Sequence, residues 1–158
     1  IMTSTLNTKV EDFLGQKRIA IVGVSRQEGA ANMIYRRFRD NGYEVFPVNP
    51  NAQQVEGVTC YAHVQDIPGK VDGAVIVTRA DVTEQVVKDC DAAGIKRVWM
   101  HGGVHGPGSS VSEAAVAYCD AHQISVIAGA CPLMFGKTSD GGHRFIRQVF
   151  GLFGRLPN

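Results

Sequence analysis

The residues best placed to do chemistry are in Arg18-Ile-Ala-Ile-Val-Gly-Val-Ser-Arg-Gln-Glu-Gly29 and, some twenty positions on, Val45-Phe-Pro-Val-Asn-Pro50. The first stretch reads as a buried strand ending at Gly23, a small polar turn and the start of a helix. A helix N-terminus presents free N–H groups and a positive dipole end, which suits a phosphate. Gly23, Val24, Ser25 and Arg26 are therefore the candidate pyrophosphate turn. Ser25 stands where a G-x-G-x-x-G turn has its second glycine, so the closest backbone approach is lost but a hydroxyl is gained. Arg26 can add charge-assisted, bidentate contacts to a phosphate. The second stretch ends on Asn49-Pro50, where a dinucleotide fold contacts the adenosine ribose. An NAD site has a carboxylate there for the ribose hydroxyls; this chain has none. The phosphate end fits and the ribose end does not, which points to another adenine nucleotide.

Three further segments could touch a ligand. Val77-Thr78-Arg79 ends a third apolar run, at the sheet edge where open α/β folds bind. Trp99-Met-His-Gly-Gly-Val-His-Gly-Pro-Gly108 ends a fourth, and its glycines, Gly102 among them, suit a backbone that passes close to a ligand. His101 is read as lining the pocket. His101 and His105 are four apart, but in a glycine-rich loop that spacing shares no helical face and no third ligand is evident, so no metal site is assigned. Cys131-Pro132 follows the fifth run. Free cysteines are more often small buried hydrophobes than nucleophiles, and no Cys–His–acid arrangement can be read, so no catalytic residue is assigned.

These residues need a frame, and the frame is legible as alternation. Apolar runs at Arg18–Val22, Tyr43–Val48, Asp72–Val77, Lys96–Met100 and Ile124–Ala128 read as five strands. Between them lie helical patterns, one closed by Asn41-Gly42 and one, over roughly Asp81–Ala93, by Gly94. Ser110-Val-Ser-Glu113 reads as a capping box opening a helix that runs to about His122. A short piece is expected around Val55–Cys60, and an amphipathic helix over about Gly142–Phe153 as a sheet-packing element or half of a homodimer contact. The expected fold is α/β: a single-domain, Rossmann-like, doubly wound parallel sheet of five strands in the order 3-2-1-4-5. Residues 1–14 are expected as an N-terminal arm or surface helix, and 15–158 as the domain.

Composition narrows the partners. The 158 residues carry a net charge of +1, which gives no footprint for nucleic acid or an anionic membrane. No apolar run approaches a membrane span, and the start of the chain lacks a signal-peptide layout. Cys60, Cys90, Cys119 and Cys131 are scattered without a C-x-x-C pair, which reads as free thiols in a reducing, cytoplasmic setting.

Several pieces in order resemble one family. They are Ala20-Ile-Val-Gly-Val-Ser25, Gly42-Tyr-Glu-Val-Phe-Pro-Val-Asn-Pro50, Gly57-Val-Thr-Cys-Tyr61 and Asp66-Ile-Pro68. Further on come Val71-Asp-Gly-Ala-Val-Ile-Val77, Ala93-Gly-Ile-Lys-Arg-Val-Trp99 and Ala130-Cys-Pro132. Over about Gly15 to Pro132 the chain resembles the small CoA-binding proteins related to the N-terminal domain of the succinyl-CoA synthetase α-subunit. The resemblance implies coenzyme A, or an acyl-CoA, bound across the C-terminal edge of the strands. Its 3′-phosphate needs a cation, for which Arg79, Arg26 and Arg36 compete, and its pantetheine arm would run toward His101 and Gly102. Neither the phosphohistidine domain nor the ATP-grasp partner of the synthetase is present in these residues. The expectation is a binding module acting as carrier, sensor or partner subunit. The alternative is a small NAD(P)-binding oxidoreductase, weakened by the imperfect glycine pattern and the lack of a Tyr-x-x-x-Lys set.

Overall fold

The structure is a computed structural model that describes residues 2–102 and 108–135. Helix α1 (Met2–Leu14) precedes strand β1 (Arg18–Val22), helix α2 (Ala30–Asp40) and strand β2 (Glu44–Val48). A hairpin of β3 (Gln54–Val55) and β4 (Val58–Thr59) leads to β5 (Gly73–Ile76), α3 (Ala80–Ala92) and β6 (Arg97–Met100). Helix α4 (Glu113–Ala121) and β7 (Ser125–Ala128) follow. The expected last helix and His105 lie outside the described residues.

Alternate residues of each strand face opposite layers, because a strand's side-chain period is two. Ile19 and Ile21 join Val75, Trp99 and Ile127 in one core with side chains of α1 and α2. Ala20 and Val22 join Ala74, Ile76, Val98 and Met100 in a second core, under α3 and α4. The sheet is therefore covered on both faces, as continuous apolar strands require. The segment expected as an arm or surface helix buries Leu6, Val10 and Phe13, with Phe13 edge-on to Trp99 at 5.5 Å between centroids.

Among the described residues the four pairings of the five-stranded sheet are parallel, and the order is β2-β1-β5-β6-β7. Counting the five long strands along the chain, that is 2-1-3-4-5, which corrects the expected 3-2-1-4-5. The reason is visible in β2. Pro47 has no N–H to give, so its strand belongs at an edge, whereas the expected order would have flanked it on both sides. The third strand goes to the other side of β1, so the order of strand addition reverses between β1 and β5. Ligands of such sheets sit outside the strand ends at that reversal.

A second correction concerns the helix after β6. Ser112, not Ser110, caps α4, accepting from the Ala115 N–H at 3.2 Å. Ser110 is fully buried and bonded to the end of β5 instead.

Candidate functional site

The C-terminal edge of β2, β1 and β5 is built around Gly23. Its φ is +112°, and a Cβ there would lie 2.1 Å from the Val77 carbonyl oxygen. Glycine lets the turn after β1 touch the end of β5, so two of the expected ligand segments are in direct backbone contact. The Gly23 N–H also donates to the Val48 carbonyl at 2.8 Å, binding the ends of the three strands together.

The turn itself is held from inside. Ser25 Oγ donates to the Gln27 carbonyl at 2.8 Å and accepts from the Gln27 N–H at 3.1 Å, so the hydroxyl shapes the turn. Asn32, buried on α2, takes the Ser25 N–H on Oδ1 at 3.2 Å and returns Nδ2 to the Ser25 carbonyl at 2.8 Å. Val24 is buried, and its carbonyl accepts from Asn49 Nδ2 at 3.0 Å. Asn49 Oδ1 accepts from the Asn51 N–H at 2.9 Å. Asn49 thus joins the β2 tip to the turn with both ends of its amide, a second reason for an amide where NAD folds carry an acid.

Three connected crevices open on this edge. One, of about 380 Å³, lies over Val22, Gly23, Val48 and Val77 with Val82 and Val86 of α3 as a wall. Asn49, Pro50, Thr78 and Arg79 complete its rim. It shares Pro50, Asn51 and Ala62 with a second, of about 710 Å³, reaching Arg26, Gln54 and Cys60. Arg26 and Gln54 continue into a third, of about 460 Å³, bounded by Ser25, Glu28, Asn32 and Glu56. The result is an apolar slot at one end and a polar groove at the other.

The cations differ in availability. Arg26 is exposed and makes no ion pair or hydrogen bond among the described residues. Arg79 pairs with Asp81 at 2.8 Å, both mostly in water, where such a pair contributes little. Arg36 bonds Glu28 at 2.7 Å and Glu56 at 2.9 Å, which makes it the most engaged of the three cations. The Arg36 hydrogen bond holds the Glu28 carboxyl below the usual carboxylate range. Burial pushes the Cys60 thiol up, opposed in part by a backbone hydrogen bond from Asn49.

The structure brings Gly23, Ser25, Arg26, Asn49, Pro50, Val77, Thr78 and Arg79 to the crevices. Val24, His101 and Gly102 line none of the three. His101 is buried, and its carbonyl accepts the Ser110 N–H at 2.8 Å. Gly102 passes the β7 exit, where a Cβ would meet Gly129 Cα at 2.8 Å. Sequence reasoning missed the α3 wall, although Val82, Gln85, Val86 and Asp89 share one face at i, i+3, i+4 and i+7. It also missed Asn32 and Glu56 and took Ser110 for a cap; the roles of all three depend on distant partners. Among the described residues no His/Cys/Asp/Glu group could hold a metal ion, and no helix is long and apolar enough to cross a membrane.

Comparison with known proteins shows the family. A family model described as the CoA binding domain matches residues 17–137. An ADP-forming acetate–CoA ligase II of Archaeoglobus fulgidus is 34% identical over 90 residues, covering 55% of this chain and 13% of the ligase. The chain thus spans only a small part of that relative. A hypothetical protein from Pyrococcus horikoshii OT3 superimposes with a TM-score of 0.72 at 27% identity, over 80% of this chain and 86% of that one. A dinucleotide-forming acetyl-coenzyme A synthetase 1 of Ca. Korarchaeum cryptofilum, solved with phosphate and ADP, gives 0.64 at 28% identity. That match covers 76% of this chain and 27% of the synthetase.

Proposed function

The chain belongs to the CoA-binding domain family, and on that premise we propose that it binds coenzyme A or an acyl-CoA at the edge of β2, β1 and β5. It does so without catalysis of its own, as a carrier, sensor or partner subunit. The observation that carries the reading is an apolar slot that meets a polar groove at Pro50, Asn51 and Ala62, with Arg26 in the groove as a cation without an ion-pair partner among the described residues. CoA has a flat base at one end of its nucleotide and a dianionic pyrophosphate at the other, so it needs both surfaces. The base lies against Pro50 and the valines of the slot, and the pyrophosphate on the turn Gly23–Arg26. Arg79, whose exposed pair with Asp81 is readily exchanged, reads the 3′-phosphate together with Arg26. The pantetheine arm leaves toward Gly102 and His101. The oxidoreductase alternative finds no support among the relatives named above, and four free cysteines favour a reducing, cytoplasmic setting.

The test is a titration of isotope-labelled protein with CoA, followed by amide chemical shifts. Shifts concentrated at Gly23–Arg26, Asn49, Asn51 and Val77–Arg79 are expected. Saturable shifts clustered elsewhere, or none at millimolar CoA, would remove the assignment.

A further inference from the structure

The groove has two walls that are far apart in sequence, the turn Gly23–Glu28 and the β3–β4 hairpin, and one short chain of hydrogen bonds joins them. The hairpin turns at Glu56 and Gly57, with φ of 52° and 75°, the left-handed pair that a two-residue hairpin needs. Glu56 accepts this uncommon backbone and points its carboxylate inward, where the side chain is 14% exposed. There Oε2 accepts from Asn32 Nδ2 at 2.9 Å and from Arg36 at 2.9 Å. Asn32 is 4% exposed and uses the rest of its amide on the Ser25 backbone. The amide therefore touches the turn and the hairpin tip at once. No other side-chain type of this size both donates to a carboxylate and pairs in this way with one residue's N–H and C=O.

We propose that Asn32, with Glu56, is the positioning residue of the nucleotide groove, fixing turn and hairpin at the spacing the ligand fits. The proposal rests on the CoA reading above. It makes two walls one preformed unit, so binding does not have to order the hairpin. Neither residue needs to touch the ligand.

Asn32→Asp tests this with nearly unchanged shape. The new carboxyl still accepts the Ser25 N–H, but faces the Ser25 carbonyl and the Glu56 carboxylate where it previously donated. The charged groups around it are Glu56 from the hairpin, Arg36 from its own helix, and Glu28 and Arg26 from the turn. With both acids ionised the hairpin tip is repelled; when they share a proton, an O–H···O bond restores the link. Calorimetric titration with CoA reads affinity separately from the folded fraction, which appears in the stoichiometry. At pH 8 the variant binds CoA about 10- to 100-fold more weakly than wild type, the scale of one charged hydrogen bond. The deficit shrinks toward pH 5. Adding Glu56→Gln, whose amide can donate to the new carboxylate, recovers most of the loss at pH 8. A merely structural role would lower stoichiometry or melting temperature and leave the dissociation constant without this pH profile or rescue. Wild-type affinity for Asn32→Asp at pH 8 overturns the proposal. Should that variant not fold, Glu56→Ala takes its place, and unchanged affinity there overturns it equally. Failure of the wild-type protein to bind CoA overturns the parent reading and this one with it, a result distinct from binding that ignores Asn32.

Discussion

Replacing Gly23 by alanine should damage fold and site together, and its size follows from the geometry. At φ +112° an L side chain is strained, at a cost of about 1–3 kcal/mol. The added Cβ would also stand 2.1 Å from the Val77 oxygen and 3.0 Å from its carbon. Ordinary contact needs ~3.5 Å, so backbone atoms must separate by about 1 Å or more. The strain falls on the Gly23–Val48 and Val77–Val22 hydrogen bonds, 2.8 and 2.9 Å long. Overpacking of this kind costs about 1–3 kcal/mol. The sum, about 2–6 kcal/mol, is a large part of the ~5–15 kcal/mol that holds a domain together. Urea unfolding followed by circular dichroism reads it as a lower midpoint at unchanged slope. Gly29→Ser is the control. Gly29 is extended at φ −173°, a Cβ there meets nothing within 4 Å, and serine supplies the missing cap of α2. It should be neutral or stabilise by a few tenths of a kcal/mol. If Gly23→Ala lies within about 0.5 kcal/mol of wild type, the reasoning about the β1–β5 contact is refuted.

Arg26→Ala should weaken CoA binding by about 10- to 100-fold at low salt with no loss of thermal stability, since Arg26 has no partner to lose among the described residues. Equal affinity would remove it from the site. Ser110→Ala should cost roughly 2–4 kcal/mol, because the hydroxyl serves both the N–H and the C=O of Thr78, at 2.9 and 2.7 Å; a melting temperature within a degree of wild type would contradict this. Burial pushes the Cys90 thiol up strongly and that of Cys119 up to about 11. At pH 8 neither should react with a disulfide reagent until the protein is unfolded, and modification of either in the native state, read by mass spectrometry, would show the α3–α4 core to be open.

The elements were legible because each is a local pattern. The five long strands, the glycine stops after α2 and α3 and the turn at Gly23 all announce themselves within a dozen residues. Strand order was not, since right-handed crossovers allow the third strand on either side of the first two. Only Pro47 carried the answer, as an edge marker inside an otherwise ordinary apolar run. The helix cap was misread by two residues because Ser110 and Ser112 both look like caps, and what separates them is the buried loop contact to Thr78. The site was legible as segments and not as a network. Gly23, Arg26 and the Asn49-Pro50 tip could be nominated from type and place. That Arg36 is held by Glu28 and Glu56, or that Asn32 meets Glu56, depends on where the hairpin lands.

The most direct test of the central claim is a side-by-side calorimetric titration of the wild-type protein with CoA, dephospho-CoA and NAD at low salt. All three carry ADP; CoA and dephospho-CoA differ only in the ribose 3′-phosphate, so that pair isolates the contribution proposed for Arg26 and Arg79, whereas NAD also lacks the pantetheine arm. The account predicts that CoA binds most tightly, that dephospho-CoA is weaker, and that NAD is weakest, with the first gap closing as salt screens the arginines. Equal affinity for CoA and dephospho-CoA would show that no cation reads the 3′-phosphate. NAD binding more tightly than CoA would contradict the account outright.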